Sequence, residues 1–266
     1  MFAKTNDGLN IYYELKGNLE AKETIIFLNG LSQATVSWYF MVPCFENKYR
    51  IILMDFIFQG QSDKTGEWRT FDQHAEDVIS VLKATNTSKA IVVGISYGSL
   101  VAQHLAVNHP EYISKLILLS TFAHKTPYFE VIEHAWWNAL QIGGYPLMFD
   151  IMLPSVLSEE YFKNPLIPVE TLRQLRQESN LSKEALFKLM TATKNRPDYR
   201  NELKKIKVPT LVIHGEKDTL ITLSMGVEVA NQIPNAKFVI IPNAGHTLNL
   251  EKVKEVCIEI LKFLGE

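Results

Sequence analysis

The pentapeptide Gly94-Ile95-Ser96-Tyr97-Gly98 stands between an apolar run over residues 90–93 and a helically spaced segment over residues 100–107. A strand, a tight turn and a helix in that order form a nucleophile elbow, which holds the central serine hydroxyl exposed at the tip of the turn. Gly94 and Gly98 have no Cβ, so neighbouring backbone can close on the turn. A serine hydroxyl is a poor nucleophile at neutral pH. It needs a base to take its proton, and the base needs an acceptor to orient it. His246, in Asn243-Ala244-Gly245-His246-Thr247 after the last predicted strand, is the candidate base. Asp218, in His214-Gly215-Glu216-Lys217-Asp218 after the apolar Leu211-Val212-Ile213, is the candidate acceptor, and Glu216 is its less well placed rival. The order Ser96, Asp218, His246 is the one that a strand–elbow–helix arrangement uses. All three follow the carboxyl ends of predicted strands, where open α/β sheets carry their sites. The other histidines, His74, His104, His109, His124, His134 and His214, lack a comparable setting, and His104 reads as a packing or surface residue.

Acyl transfer through a serine also requires donors for the oxyanion of the tetrahedral intermediate, and such donors are worth several kcal/mol. The Tyr97 N–H, directly after the nucleophile and at a helix start, is one candidate. The Leu31 N–H, in Asn29-Gly30-Leu31-Ser32 after an apolar strand, is the other, with Asn29 and Gly30 expected to touch the substrate. Asp55, which opens the loop over residues 55–63, is expected to tie loops together rather than to react. This chemistry calls for no metal and no cofactor.

The elements that must position these residues are legible as short apolar strands alternating with amphipathic helices. Strands are predicted over residues 9–15, 24–28, 50–54, 90–93, 115–119, 208–214 and 237–241. Helices are predicted over 38–45, 71–84, 97–108, 226–232 and 250–263. That alternation argues for an α/β fold, a mostly parallel sheet covered on both faces. It breaks between about residues 122 and 200, which are helical in character, so a helical cap is expected at 122–200, inserted into a core made of 1–121 and 201–266. The cap is rich in large apolar residues. Most are expected to form its own core and its contact with the main domain, while Trp136, Tyr145 and Met148 are assigned to an apolar acyl pocket above Ser96. An exposed patch for a membrane or a partner protein is the competing reading.

Composition sets outer limits. The chain has 266 residues, 47% of them apolar, and a formal net charge of −2 from 27 basic and 29 acidic side chains. No long basic run points to nucleic acid. Cys44 and Cys257 form neither a short metal-like cluster nor a disulfide framework. The first residues lack an apolar segment with a cleavage site, and no stretch reaches the roughly 18 apolar residues of a membrane span. A cytoplasmic protein with no stable membrane insertion is expected.

Over nearly its full length the chain resembles the α/β-hydrolase superfamily, through the Ser96 pentapeptide, residues 55–62, Gly215-Glu216-Lys217-Asp218 and Gly245-His246. The resemblance implies a hydrolase-type core with a cap, acting on esters, thioesters, lactones, C–C bonds or acyl acceptors. Dehalogenases and epoxide hydrolases of the superfamily carry aspartate where this chain has Ser96, which argues against those chemistries. Many relatives have His-Gly in the first oxyanion loop, where Asn29-Gly30 stands here. Phe27-Leu28-Asn29-Gly30 together with Asp55 to Ser62 is similar to bacterial acyltransferases that join 3-hydroxyacyl groups carried on acyl carrier protein, so acyl carrier protein is a partner to consider. The expected activity is cleavage of an ester or thioester of a small or medium apolar acyl group through an acyl-enzyme. Acyl transfer, and ligand binding without catalysis, are the alternatives.

Overall fold

A computed structural model describes residues 1–177 and 181–265; residues 178–180 of the expected cap and residue 266 of the expected core lie outside the described residues. The chain opens with β1 (Phe2–Lys4) and β2 (Asn10–Gly17), then β3 (Thr24–Leu28) and β4 (Arg50–Met54). There follow α1 (Phe71–Ala84), β5 (Ala90–Ile95), α2 (Tyr97–Asn108) and β6 (Ile113–Leu119). Between β6 and the next strand run α3 (Pro127–Val156), α4 (Glu159–Lys163), α5 (Val169–Gln177), α6 (Lys183–Asn195) and α7 (Arg200–Leu203). β7 (Thr210–Gly215), α8 (Leu223–Gln232), β8 (Lys237–Ile241), α9 (Leu248–Glu251) and α10 (Val253–Leu264) complete the described chain.

The strands form one eight-stranded sheet in the order β1-β2-β4-β3-β5-β6-β7-β8. The β1–β2 and β2–β4 pairs are antiparallel and the rest are parallel. Every residue of β3, β5 and β7 is buried, which explains why these strands read as unbroken apolar runs. Their period of two sorts the side chains into two cores. Ile26, Leu28, Val92, Leu116 and Val212 pack under α1, α2 and α8, while Ile25, Phe27, Val93, Ile117 and Ile213 pack under α10 and the turns after β3. Each such apolar side chain contributes about 1.5–3 kcal/mol when fully buried.

The sheet order reverses at β3. The chain leaves β3 for β4 on one side and returns to β5 on the other, so the loops after β3 and β5 diverge and open a crevice at their carboxyl ends. That crevice receives both Ser96 and the segment from Asn29 to Gln33.

Two local expectations change, and one bridge appears that the sequence did not suggest. The helix expected over 38–45 is two 3-10 turns, Thr35–Trp38 and Val42–Cys44, because Pro43 has no N–H to continue a longer helix. The terminal helix expected over 250–263 is divided into α9 and α10 at Lys252, whose backbone (φ −139°, ψ 49°) leaves the helical region. Cys44 and Cys257, which are 213 positions apart, form a disulfide with a Cα–Cα separation of 6.2 Å. The turn after β3 and α10 cover the same sheet face, and only that packing brings the two cysteines together.

The helices between β6 and β7 form the inserted cap. α3 is broken at Gly144, whose φ of 67° and ψ of −164° only glycine adopts without strain, and Pro146 begins the continuation. Arg196, just after α6, clamps the base of this region. Its guanidinium donates to Gln103 Oε1 (2.7 Å), Ala123 O (3.1 Å) and His104 Nε2 (3.2 Å). Tyr199 N donates to Ala123 O as well, at 3.0 Å. No described helix is long and apolar enough to cross a membrane.

Candidate active site

Ser96 ends β5 and precedes α2 with φ 51° and ψ −117°. A non-glycine residue in that region costs about 1–3 kcal/mol and persists only where its surroundings over-determine it. Here they do. Ser96 N donates to Leu119 O (3.0 Å), and Ser96 O accepts from Ser99 N (2.9 Å) and Ser99 Oγ (2.6 Å). A Cβ on Gly98 would collide with Leu28 O, and one on Gly94 with Gly98 O. The elbow is therefore pressed directly against the end of β3. Tyr97 turns its side chain into the core between Phe56, Phe71 and His74, so its backbone is the part left beside Ser96. As the first residue of α2, its N–H has no acceptor one turn earlier.

His246 follows β8, and its Nδ1 lies 2.8 Å from Asp218 Oδ2. Asp218 follows β7, and its Oδ1 accepts from Leu220 N (3.0 Å) and Ile221 N (2.9 Å). One carboxylate oxygen is thus anchored by backbone and the other is aimed at the imidazole. The His246 backbone is fixed by Ser120 Oγ, which donates to His246 O at 2.7 Å. With Nδ1–H donating to Asp218, Nε2 keeps the lone pair that a base needs. A second imidazole, His214, comes within 3.5 Å of Asp218 Oδ2 but donates from Nε2 to Ile221 O at 2.7 Å. Burial holds His214 below its ordinary pKa, so it stays neutral and leaves the Asp218 charge to His246.

Ser96 and His246 face the same cavity, of about 90 Å³, whose floor includes Gly30, Leu31, Ser32 and Gln33. Trp136, Phe149, Met152, Leu153, Val156 and Leu157 of the cap form its walls, with Leu172, Leu220 and Leu250. A smaller cavity of about 30 Å³ adjoins it, sharing Leu31, Ser96, Trp136 and Leu220 and adding Tyr97, Leu100, Phe122, Phe129, Glu133, Met190 and Thr193. Ser96 therefore lines both of two adjoining cavities.

Of the residues expected from sequence, Ser96, His246, Gly30, Leu31 and Trp136 meet in the larger cavity, Tyr97 joins in the smaller, and Asp218 stands behind His246. Asn29, Tyr145 and Met148 do not line either space. Asn29 is fully buried, with Nδ2 donating to Met54 O (2.8 Å) and Oδ1 accepting from Trp38 Nε1 (2.8 Å). Tyr145 and Met148 are buried within the cap, because the break at Gly144 turns the second half of α3 so that Phe149, Met152 and Leu153 face Ser96.

Two glutamines that the sequence reading did not single out hold the loop after β3. Gln59 Nε2 donates to both Gly30 O (2.8 Å) and Leu31 O (3.0 Å). Gln33 Oε1 accepts from Gly30 N (2.9 Å). Asp55 knits the same region, accepting from Thr35 N (2.8 Å) and Gln61 N (2.9 Å). Its burial raises its pKa despite these bonds. No local pattern marks Gln59, since its partners lie 29 and 28 positions away, while Gln33 acts within its own turn, three residues after Gly30. Among the described residues no group of three or more His, Cys, Asp or Glu side chains could hold a metal ion.

The alpha/beta hydrolase fold family matches residues 23–253. The chain is 27% identical over 272 residues to the uncharacterized hydrolase YugF of Bacillus subtilis, covering 98% of this chain and 96% of that protein. It is 29% identical to a 2-hydroxy-6-oxononadienedioate/2-hydroxy-6-oxononatrienedioate hydrolase of Paraburkholderia phymatum, covering 97% and 92%. A pimeloyl-[acyl-carrier protein] methyl ester esterase of Vibrio atlanticus is 24% identical, covering 90% and 93%. Among solved structures, MGS-M2, an alpha/beta hydrolase enzyme from a deep-sea metagenome library of the Medee basin, superposes with a TM-score of 0.88 at 28% identity, covering 97% of this chain and 95% of that one.

Proposed function

The chain belongs to the alpha/beta hydrolase fold family, and from that premise we propose that it is a serine hydrolase of carboxylic esters or thioesters with a small or medium apolar acyl group. The observation that carries this reading is the 2.8 Å pair of His246 Nδ1 and Asp218 Oδ2, with His246 and Ser96 on one cavity. Ser96 Oγ attacks the carbonyl carbon as His246 Nε2 takes its proton, and Asp218 stabilises the imidazolium that forms. The carbonyl oxygen, now an oxyanion, accepts from the N–H groups of Tyr97 and Leu31. The tetrahedral intermediate collapses as His246 returns the proton to the leaving alcohol or thiol, and an acyl-Ser96 ester remains. Water then enters, gives its proton to His246 and releases the acid, restoring Ser96.

The same acyl-enzyme supports transfer to a hydroxyl or amine acceptor. The apolar walls favour it by limiting water near the ester. The Vibrio atlanticus relative, named for an ester on acyl carrier protein, makes carrier-bound acyl groups substrates to test in both readings. Product analysis with carrier thioesters, with and without an added acceptor, separates them, and free acid in every case would eliminate transfer.

A fluorophosphonate probe should label Ser96, and Ser96→Ala should lose both labelling and turnover of an ester, thioester or lactone panel, by about 10⁶-fold in kcat. Robust turnover by Ser96→Ala would sink the mechanism. A folded protein that binds acyl ligands while Ser96 stays unlabelled would instead be a binding protein.

A further inference from the structure

The smaller cavity beside Ser96 holds one charged side chain, and it stands where the helix would otherwise place an apolar residue. Along α3, Phe129, Glu133, Trp136 and Leu140 recur at helical spacing and so share a face. Phe129, Trp136 and Leu140 are buried and Glu133 is half-buried. Glu133 therefore interrupts the apolar stripe at the point where that stripe lines the cavity, between Phe129 and Trp136.

No hydrogen bond or ion pair satisfies the Glu133 carboxylate among the described residues. The charges that act on it are Lys125 before α3, Glu130 one turn earlier and Lys194 on α6. Both lysines are engaged elsewhere: Lys125 Nζ donates to Lys194 O (2.6 Å), and Lys194 Nζ lies 5.3 Å from the centre of the Trp137 ring. Burial accordingly holds the Glu133 carboxyl above its ordinary pKa. A partly desolvated carboxylate without a partner is unfavourable in itself. Breaks of this kind in an otherwise consistent pattern concentrate at functional positions.

Resting on the acyl-enzyme reading above, we propose that Glu133 is a specificity-determining residue, and that the substrate branch entering the smaller cavity ends in a hydrogen-bond donor, a hydroxyl or an ammonium. Carboxylate oxygens only accept, so the complement is an O–H or N–H. The cavity of about 30 Å³ has room for roughly two water-sized groups, which limits that branch to a short chain. Its other walls, Leu100, Phe122, Phe129, Trp136 and Met190, cover the methylenes between the donor and the carbonyl. The opposite substrate branch occupies the larger cavity.

Two matched ester sets test this. The first varies the acyl side at constant size: 4-nitrophenyl butanoate, 3-hydroxypropanoate and 3-aminopropanoate. The second varies the alcohol side: propyl and 2-hydroxyethyl hexanoate. In one of the two sets the wild type should favour the donor-bearing ester over its methyl counterpart by at least about tenfold in kcat/KM, because a site built around a hydrogen bond rejects the analogue that lacks it. Glu133→Leu should reverse that preference. Glu133→Gln should keep the hydroxyl ester and lose the ammonium ester if the first set responds. Preferences unchanged within about twofold in Glu133→Leu would overturn the proposal, since selectivity in a hydrogen-bonding site is expected to move far more than that. A wild type that favours the methyl ester in both sets, or turns over no member while Ser96 reacts with the fluorophosphonate, would overturn it equally. Failure of the wild-type Ser96 to react with that probe is the separate result that would remove the acyl-enzyme reading beneath it.

Discussion

Around the carboxyl ends of β3, β5 and β7, buried polar side chains are tied to one another or to backbone. Asp218 has one oxygen on two backbone N–H groups and the other on His246, Ser120 holds His246 O, and Gln59 holds two carbonyls of the loop after β3. Across the cavity, the cap offers Trp136, Phe149, Met152, Leu153, Val156 and Leu157, side chains with little hydrogen-bonding capacity. The first region can fix atoms to within the tolerance that proton transfer demands, because hydrogen bonds are directional. The second can only shape a volume, because burial is non-directional. The proposed chemistry and selectivity thus fall on two parts of the chain with different physics, and Glu133 is a charged, directional group on the shaping side.

Disturbing the sheet edge should therefore change rate, and disturbing the cap should change which substrate is accepted. The largest expected effect is at Asp218. In Asp218→Asn the side-chain oxygen still receives Leu220 N and Ile221 N, so the fold should persist, while the amide opposite His246 Nδ1 is now a donor and forces the wrong tautomer. We expect kcat to fall by about 10⁴-fold with little change in thermal midpoint. A loss under about tenfold, measured with the best ester of the panel, would remove Asp218 from the orienting role.

Gln59 comes next. Gln59→Leu preserves bulk but releases Gly30 O and Leu31 O, so the loop that carries the proposed Leu31 N–H donor loses two of its anchors. Weakening an oxyanion donor should lower kcat by about 10²-fold and leave KM nearly unchanged. A change confined to KM or to stability would make Gln59 a purely architectural residue and leave the oxyanion contribution to Tyr97.

How much of this division could be read from the sequence differs by region for the same physical reason. The elbow is local: Gly94, Ser96 and Gly98 lie within one turn, and the close approach of Leu28 O to Gly98 demands glycine there. The strands before Ser96 and Asp218 read as mostly apolar runs because both of their faces are covered, whereas β8, before His246, is a half-exposed edge strand that opens on Lys237. The supports are non-local. Gln59 reaches the loop after β3 across 29 and 28 positions, and Ser120 reaches His246 across 126. In the cap, the density of large apolar residues points to Trp136, Tyr145 and Met148 alike, but apolar content does not show which of them faces Ser96; the backbone turns at Gly144, and Phe149, Met152 and Leu153 line the cavity where Tyr145 and Met148 do not. Cys44 and Cys257 pair only because two elements far apart in sequence cover one sheet face.

The smallest expected effect sharpens the contrast through pH. The folded state holds the Glu133 carboxyl above its ordinary value, mainly by burial, with Lys125 and Lys194 opposing and Glu130 reinforcing the shift. An acid whose folded pKa exceeds its unfolded pKa binds more protons in the folded state through that interval. Stability from this group is therefore present below the ordinary glutamate range and is lost as pH rises through the folded pKa. Glu133→Leu removes that term, so the variant should gain thermal stability over the wild type as pH rises from about 4 toward neutrality, and the gap should level off above the folded pKa. Glu133 is only partly buried, so solvent screening limits the gain to about 1–2 °C in thermal midpoint, measured by calorimetry at matched ionic strength. A gap that narrows with rising pH would mean that the carboxylate is stabilised by a partner in the folded protein, and would assign Glu133 to the hydrogen-bonded network of the sheet edge instead of to the substrate.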